Sequence, residues 1–120
     1  MEKNIRGIQI DAEKRTVKEV RVIGDYKAIY PFINCDCFTV VGISDTEGIY
    51  VDDEGLLKEP KHFFMYQGYP EPLAGNGLIL GTNDEGDSVD TQLTVEFVRK
   101  QIKCADRNTI GLLVKMGAFA

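Results

Sequence analysis

Ile5-Arg6-Gly7-Ile8-Gln9-Ile10 and Thr16-Val17-Lys18-Glu19-Val20-Arg21-Val22-Ile23 decide the fold class of this chain. Each run sets β-branched residues among polar ones, and the polar Asp11-Ala12-Glu13-Lys14-Arg15 lies between them. That pattern reads as a β-hairpin, residues 5–10 against 16–23. Downstream, Tyr26, Ile29, Tyr30 and Ile33 fall at helical spacing behind Asp25, a good N-cap, and Pro31 limits that helix to a short or kinked one. Phe38-Thr39-Val40-Val41-Gly42-Ile43 reads as a strand, Asp45-Thr46-Glu47-Gly48 as a turn and Ile49-Tyr50-Val51 as the returning strand. Asp53-Glu54-Gly55 closes another turn.

Residues 62–66 suit a short strand or one helical turn equally well. Leu78-Ile79-Leu80 reads as a brief buried strand after a Gly75-Asn76-Gly77 turn, and Asn83-Asp84-Glu85-Gly86-Asp87 as a loop. The clearest helix covers 94–102, with Thr94 as cap, Glu96 near its positive end and Arg99, Lys100 and Lys103 near its negative end. Val95, Val98 and Ile102, with Phe97, form its expected buried face. Residues 109–116 read as a C-terminal strand. The whole, residues 1–120, is expected to be a single α+β domain: a mainly antiparallel sheet with two helices packed on it.

Composition narrows the function. The 120 residues suffice for a hydrophobic core without metals or disulfides. No apolar run approaches the roughly 20 residues that span a bilayer, so no membrane partner is expected. The polar Met1-Glu2-Lys3-Asn4 start gives no sign of export. Three cysteines, with Cys35 and Cys37 two apart, make no disulfide framework and point to a reducing cytoplasm. The net charge of −5 is unevenly spread: from Asp45 to Asp90 the only Lys or Arg residues are Lys58 and Lys61. A chain so acidic in its middle is not expected to bind DNA non-specifically. Its acids are turn residues in the plainer reading and a face for a basic partner in the other.

The chemistry-bearing residues gather between positions 58 and 77. Lys58, Lys61 and His62, the only histidine, stand before Phe63-Phe64-Met65-Tyr66 and Tyr69, one basic–aromatic island in an acidic region. Lysines neutralise phosphates and aromatic rings stack on bases. Gly75, Asn76 and Gly77 offer backbone N–H groups, without the Walker ending or the dinucleotide glycine spacing. Phe63 and Phe64 also suit a core. Cys35-Asp36-Cys37 lacks zinc spacing and reads as buried thiols at a helix–strand junction, with Cys104 packed after a helix. Asp52-Asp53-Glu54 and the loop at 83–87 lack the ligand pattern of a calcium loop, so no metal and no cofactor is expected. For His62 to act in proton transfer it needs a carboxylate and a nucleophile, and its local sequence supplies neither.

From Asp36 onward the chain resembles a family of short uncharacterised proteins from phages and mobile elements. The resemblance is carried by Ile49-Tyr50-Val51-Asp52-Asp53-Glu54-Gly55-Leu56-Leu57-Lys58, by Leu73-Ala74-Gly75-Asn76-Gly77-Leu78-Ile79-Leu80-Gly81 and by Asp84-Glu85-Gly86-Asp87. It implies a small accessory protein that blocks a host component or sequesters a nucleotide-derived defence signal, and it assigns no catalytic residue. The expected function is therefore non-catalytic binding of a small nucleotide-like ligand. Tyr66 and Tyr69 would stack on the base, Lys58, Lys61 and His62 would meet phosphate, and Gly75–Gly77 would close over it. A pocket shared in a homo-oligomer would suit sequestration. The alternatives are a protein–protein inhibitor that presents its acidic face to a host protein, and a small hydrolase using His62.

Overall fold

The computed structural model describes residues 3–33, 37–53 and 61–106. Strands β1 (Lys3–Asp11) and β2 (Thr16–Gly24) form the expected hairpin, with Ile5 opposite Val22, Gly7 opposite Val20 and Ile10 opposite Val17. A 3-10 turn, Tyr26–Ile29, is capped by the Asp25 side chain, which accepts from the Lys27 N–H, and it runs into α1 (Tyr30–Ile33). Pro31 falls in the first turn of α1, where its missing N–H is tolerated. The strands β3 (Phe38–Gly42), β4 (Glu47–Asp52), β5 (His62–Tyr66), β6 (Leu73–Ala74), β7 (Asn76–Thr82) and β8 (Ser88–Val89) follow. Then come α2 (Val95–Gln101) and β9 (Ile102–Asp106). The expected C-terminal strand at 109–116, most of the turn at 53–55, and Cys35 and Asp36 lie outside the described residues.

Two antiparallel sheets form. The larger has the order β2-β1-β7-β4-β3, with β8 also paired to β7; the smaller has the order β6-β5-β9. The chain is thus a single α+β unit, mostly antiparallel sheet with two helices. Strand alternation sends side chains to opposite faces of the larger sheet. One face carries Ile8, Ile10, Val17, Ile49, Val51 and Ile79, covered by Phe64, Tyr66 and Leu73 of the smaller sheet and by Val98 of α2. The other carries Ile5, Val22, Tyr50, Leu78 and Leu80 beneath Ile29 and Ile33 of the helical segment. Strand β7 is covered on both faces, so it reads as the continuous apolar run of a central strand.

Four expectations change. Of the Gly75-Asn76-Gly77 turn only Gly75 is a corner, at φ +73; Asn76 and Gly77 already pair with Asp11 and Ile10 of β1. Gly77 stays in the strand because its missing side chain leaves room for the Phe64 ring. A Cβ there would lie 2.7 Å from Phe64 Cζ and 3.0 Å from Ile49 Cγ2. The last helix stops at Gln101, and Ile102 turns extended (φ −102, ψ 136) to pair with Tyr66 as β9, which places Lys103 in a strand. Phe97 is exposed, because Val95, Val98 and Ile102 already make the inward stripe of so short a helix. Cys37 is exposed as well, since it precedes β3 at the open margin of the larger sheet. Phe63 and Phe64 are both core.

Replacing Gly77 by Ala is expected to lower the unfolding free energy by about 1–3 kcal/mol, because the fully buried Phe64 ring has nowhere to retreat. Gly42→Ala, whose Cβ would meet nothing within 4 Å, is expected to stay within about 0.5 kcal/mol of wild type. Urea midpoints of the two variants check the contrast.

Candidate functional site

The helical segment spans only Tyr26–Ile33, too little chain to cover a five-strand face. Ile29 and Ile33 cover its middle, and a cleft of about 710 Å³ remains beside them. Ile5, Val22 and Leu80 contribute the sheet surface, Phe38, Val40 and Tyr50 come from β3 and β4, and Gly24, Asp25, Tyr26, Ala28 and Ile29 come from the helical side. Among the described residues the exposed large hydrophobics are Ile23 (55%), Tyr26 (57%), Val40 (46%) and Phe97 (46%). All but Phe97 line this cleft, so the apolar surface left in water is concentrated there.

Aromatic rings run in a chain along it. Tyr26 meets Tyr30 edge-on at 6.1 Å, Tyr30 lies 5.6 Å from Phe38, and Phe38 lies 5.1 Å from Tyr50. These separations suit favourable ring contacts and hold Phe38 and Tyr50 in place. Polar groups are few. Tyr50 Oη and Ser88 Oγ share a hydrogen bond of 2.7 Å, and the Asp25 carboxylate, one oxygen of which caps the 3-10 turn, is the only charged group among the described residues that line the cleft. A mostly apolar hollow of this size with sparse polar groups has the form of a small-molecule site.

The residues expected from the sequence to bind ligand sit elsewhere. Lys58 lies outside the described residues. Lys61 is exposed just before β5, and His62 is half-buried as its first residue, its C=O accepting from Gly75 N–H at 3.0 Å. Tyr66 is only 8% exposed, within the core between the sheets, and half-buried Tyr69 packs against that core, donating its N–H to Tyr66 C=O. Asn76 reaches the other face, where its Nδ2 and Gln9 Nε2 both donate to Phe32 C=O, at 3.4 and 2.8 Å. The fold therefore brings His62 and Gly75 together, and Tyr66 and Tyr69, but puts none of the seven described ones on the cleft. The cleft residues were missed because Ile23, Tyr26, Val40, Tyr50 and Ser88 come from separate segments that only the sheet order joins. An apolar Val40 on an edge strand was the one local sign.

A second polar feature is structural. Buried Glu47 accepts from Thr91 Oγ1–H and, at 3.0 Å, from Gln92 N–H. Arg6 donates to Thr91 C=O and Leu93 C=O, both at 2.9 Å, and pairs with Glu19 at 2.6 Å. Together they clamp residues 90–93 onto the larger sheet and so aim α2. Burial, and then the charge of Glu47, raises the pKa of Tyr66 above the ordinary tyrosine range. Among the described residues no three His, Cys, Asp or Glu side chains gather as a metal site, and no helix is long and apolar enough to cross a membrane.

Residues 5–103 match the family described as a domain of unknown function, DUF3846, and the chain belongs to that family. A protein of Sinorhizobium fredii named as the uncharacterized protein y4iR is similar, 22% identical over 76 residues, which is 63% of this chain and 47% of that protein. The matched stretch thus spans about half the relative's length. No solved structure matches the chain.

Because the folded state holds the Tyr66 phenol neutral, its contribution to stability is complete below the unfolded tyrosine pKa of about 10 and is lost as pH rises past it. The unfolded chain ionises first and gains the advantage. Urea midpoints are expected to fall above that pH, and to fall less steeply in Tyr66→Phe; equal slopes would remove Tyr66 as the cause.

Proposed function

We propose that this DUF3846 chain is a non-catalytic binding protein that takes up a small nucleotide-derived ligand, its flat base lodged in the aromatic cleft. The observation that carries this reading is the gathering of Ile23, Tyr26 and Val40, exposed in one hollow alongside Phe38 and Tyr50. A planar base would cover that surface, and stacking on a tyrosine contributes about 1–3 kcal/mol. Asp25 and the Tyr50–Ser88 pair supply the few polar groups that would orient a ring carrying N–H donors. Phosphates would project out of the cleft, since the one charge among its described lining residues, Asp25, is negative. The resemblance in residues 49–58 and 73–81 supports the setting, a cytoplasmic accessory protein of phage or mobile-element type that sequesters a host signal. A homo-oligomer would suit that role.

A second reading has its own support. Thr82 N–H donates to Thr46 C=O at 2.8 Å, which seats the turn at 44–46 beside the loop at 83–87. Exposed Asp45, Asp84, Glu85 and Asp87 thereby crowd one end of the larger sheet, the kind of surface that would meet a basic host protein. The hydrolase reading has less: among the described residues no side-chain hydrogen bond reaches the His62 ring.

Thermal shift and calorimetry with a panel of nucleosides and nucleotides test the leading reading. A binder should emerge, with Tyr26→Ala weakening it about tenfold, the equivalent of about 1.4 kcal/mol, and Tyr69→Ala leaving affinity unchanged. The reverse pattern would return the site to the Lys61–Tyr69 side. A panel with no binder would end the nucleotide reading in favour of the acidic end, whose partner must bind more weakly as salt rises.

A further inference from the structure

The hairpin turn and the end of α2 are distant in the chain, yet they close one small pocket of about 240 Å³, lined by Arg15, Val17, Arg99, Ile102 and Cys104. Arg15 is the one described residue other than glycine in the left-handed region, at φ 57. Glycine or asparagine takes that conformation at less cost. An arginine there sets a guanidinium on the pocket wall. Arg99, in the last turn of α2, donates from Nη2 to Val17 C=O at 3.3 Å. That bond steadies the guanidinium over β2 and leaves its other N–H donors for a ligand.

Neither arginine has a carboxylate partner among the described residues, whose one ion pair joins Arg6 to Glu19. Asp11 stands at the margin: its charge acts on Cys104 against that of Arg15, and its Oδ1 accepts from Lys14 N–H. Two guanidiniums without a described carboxylate partner on one concave spot are unexpected in a chain of net charge −5. Their planar forks match the oxygens of a phosphate better than any point charge does.

We propose that Arg15 and Arg99 hold a phosphate-type oxyanion in this pocket, over a floor of Val17, Ile102 and Cys104. The floor residues belong to the core between the two sheets, whereas the aromatic cleft opens on the other face of the larger sheet. The two sites are independent, and either stands without the other.

Cys104 provides the readout. It is half-buried in the pocket, and burial pushes its thiol pKa up, so alkylation is slow and sensitive to what covers it. The full chain, in buffer free of phosphate and sulfate, is treated with iodoacetamide alone, with inorganic phosphate, or with AMP, and labelling of Cys104 and Cys37 is followed by mass spectrometry. Phosphate is expected to slow Cys104 labelling several-fold and to leave exposed Cys37 unchanged. Arg99→Gln and Arg15→Gly should each abolish the protection. Arg15→Gly relieves the left-handed backbone and keeps the test valid if Arg99→Gln folds poorly. Protection by both compounds assigns the site to the free oxyanion, and protection by AMP alone to a phosphoryl group on a larger molecule. No protection by either up to about 10 mM, or protection that survives Arg15→Gly, overturns the proposal.

Discussion

The Phe64 ring lying on Gly77 is the contact on which the rest of the molecule depends. A three-stranded sheet with a two-residue edge strand has too little surface to stand alone. It persists because Phe64, Tyr66 and Leu73 bury themselves against the larger sheet, and at Gly77 the approach leaves no room for a Cβ, which would lie 2.7 Å from the Phe64 ring. Covering this face with a second sheet leaves the opposite face to a helical segment of two short turns. The uncovered remainder is the cleft, so one packing choice positions the candidate site.

The elements set by short-range chemistry could be read in the sequence. The hairpin follows from β-branched runs around a polar turn, and the caps at Asp25 and Thr94 lie where an oxygen side chain precedes an apolar stripe. The loop at 83–87 is likewise local: Asn83 Oδ1 accepts from Glu85 N–H and Asp87 N–H, and Gly86 adopts φ +84. What stayed hidden depends on partners remote in sequence. Residues 102–106 become a strand only because β5 offers an edge, and Gly77 looks like a turn glycine until Phe64 is placed above it. The cleft is illegible for the same reason, since its wall residues come from both ends of the larger sheet. The basic–aromatic island was legible as composition, but its aromatic half serves the core: Tyr66 and Phe64 are interior side chains.

Charge sorts along the fold as well as along the chain. Exposed Asp45, Asp84, Glu85 and Asp87 crowd the end of the sheet where the turn at 44–46 meets the loop at 83–87, while Asp25 is the one charged group among the described residues that line the cleft, and Arg15 and Arg99 line a pocket on the side of the core between the two sheets. The flat base of the proposed ligand would suit such a cleft, and it is the aromatic wall rather than a cationic one that would distinguish it from other solutes. The proposed binding role asks no described side chain to transfer a proton.

Mass spectrometry of small molecules released by heating the purified protein would show whether the cleft carries a base-bearing ligand. A base-bearing compound is expected in near one-to-one amount from the wild-type chain and in clearly lower amount from Tyr26→Ala. A protein that releases nothing from either, with its cleft intact by ring-proton spectra, would contradict the proposed binding role.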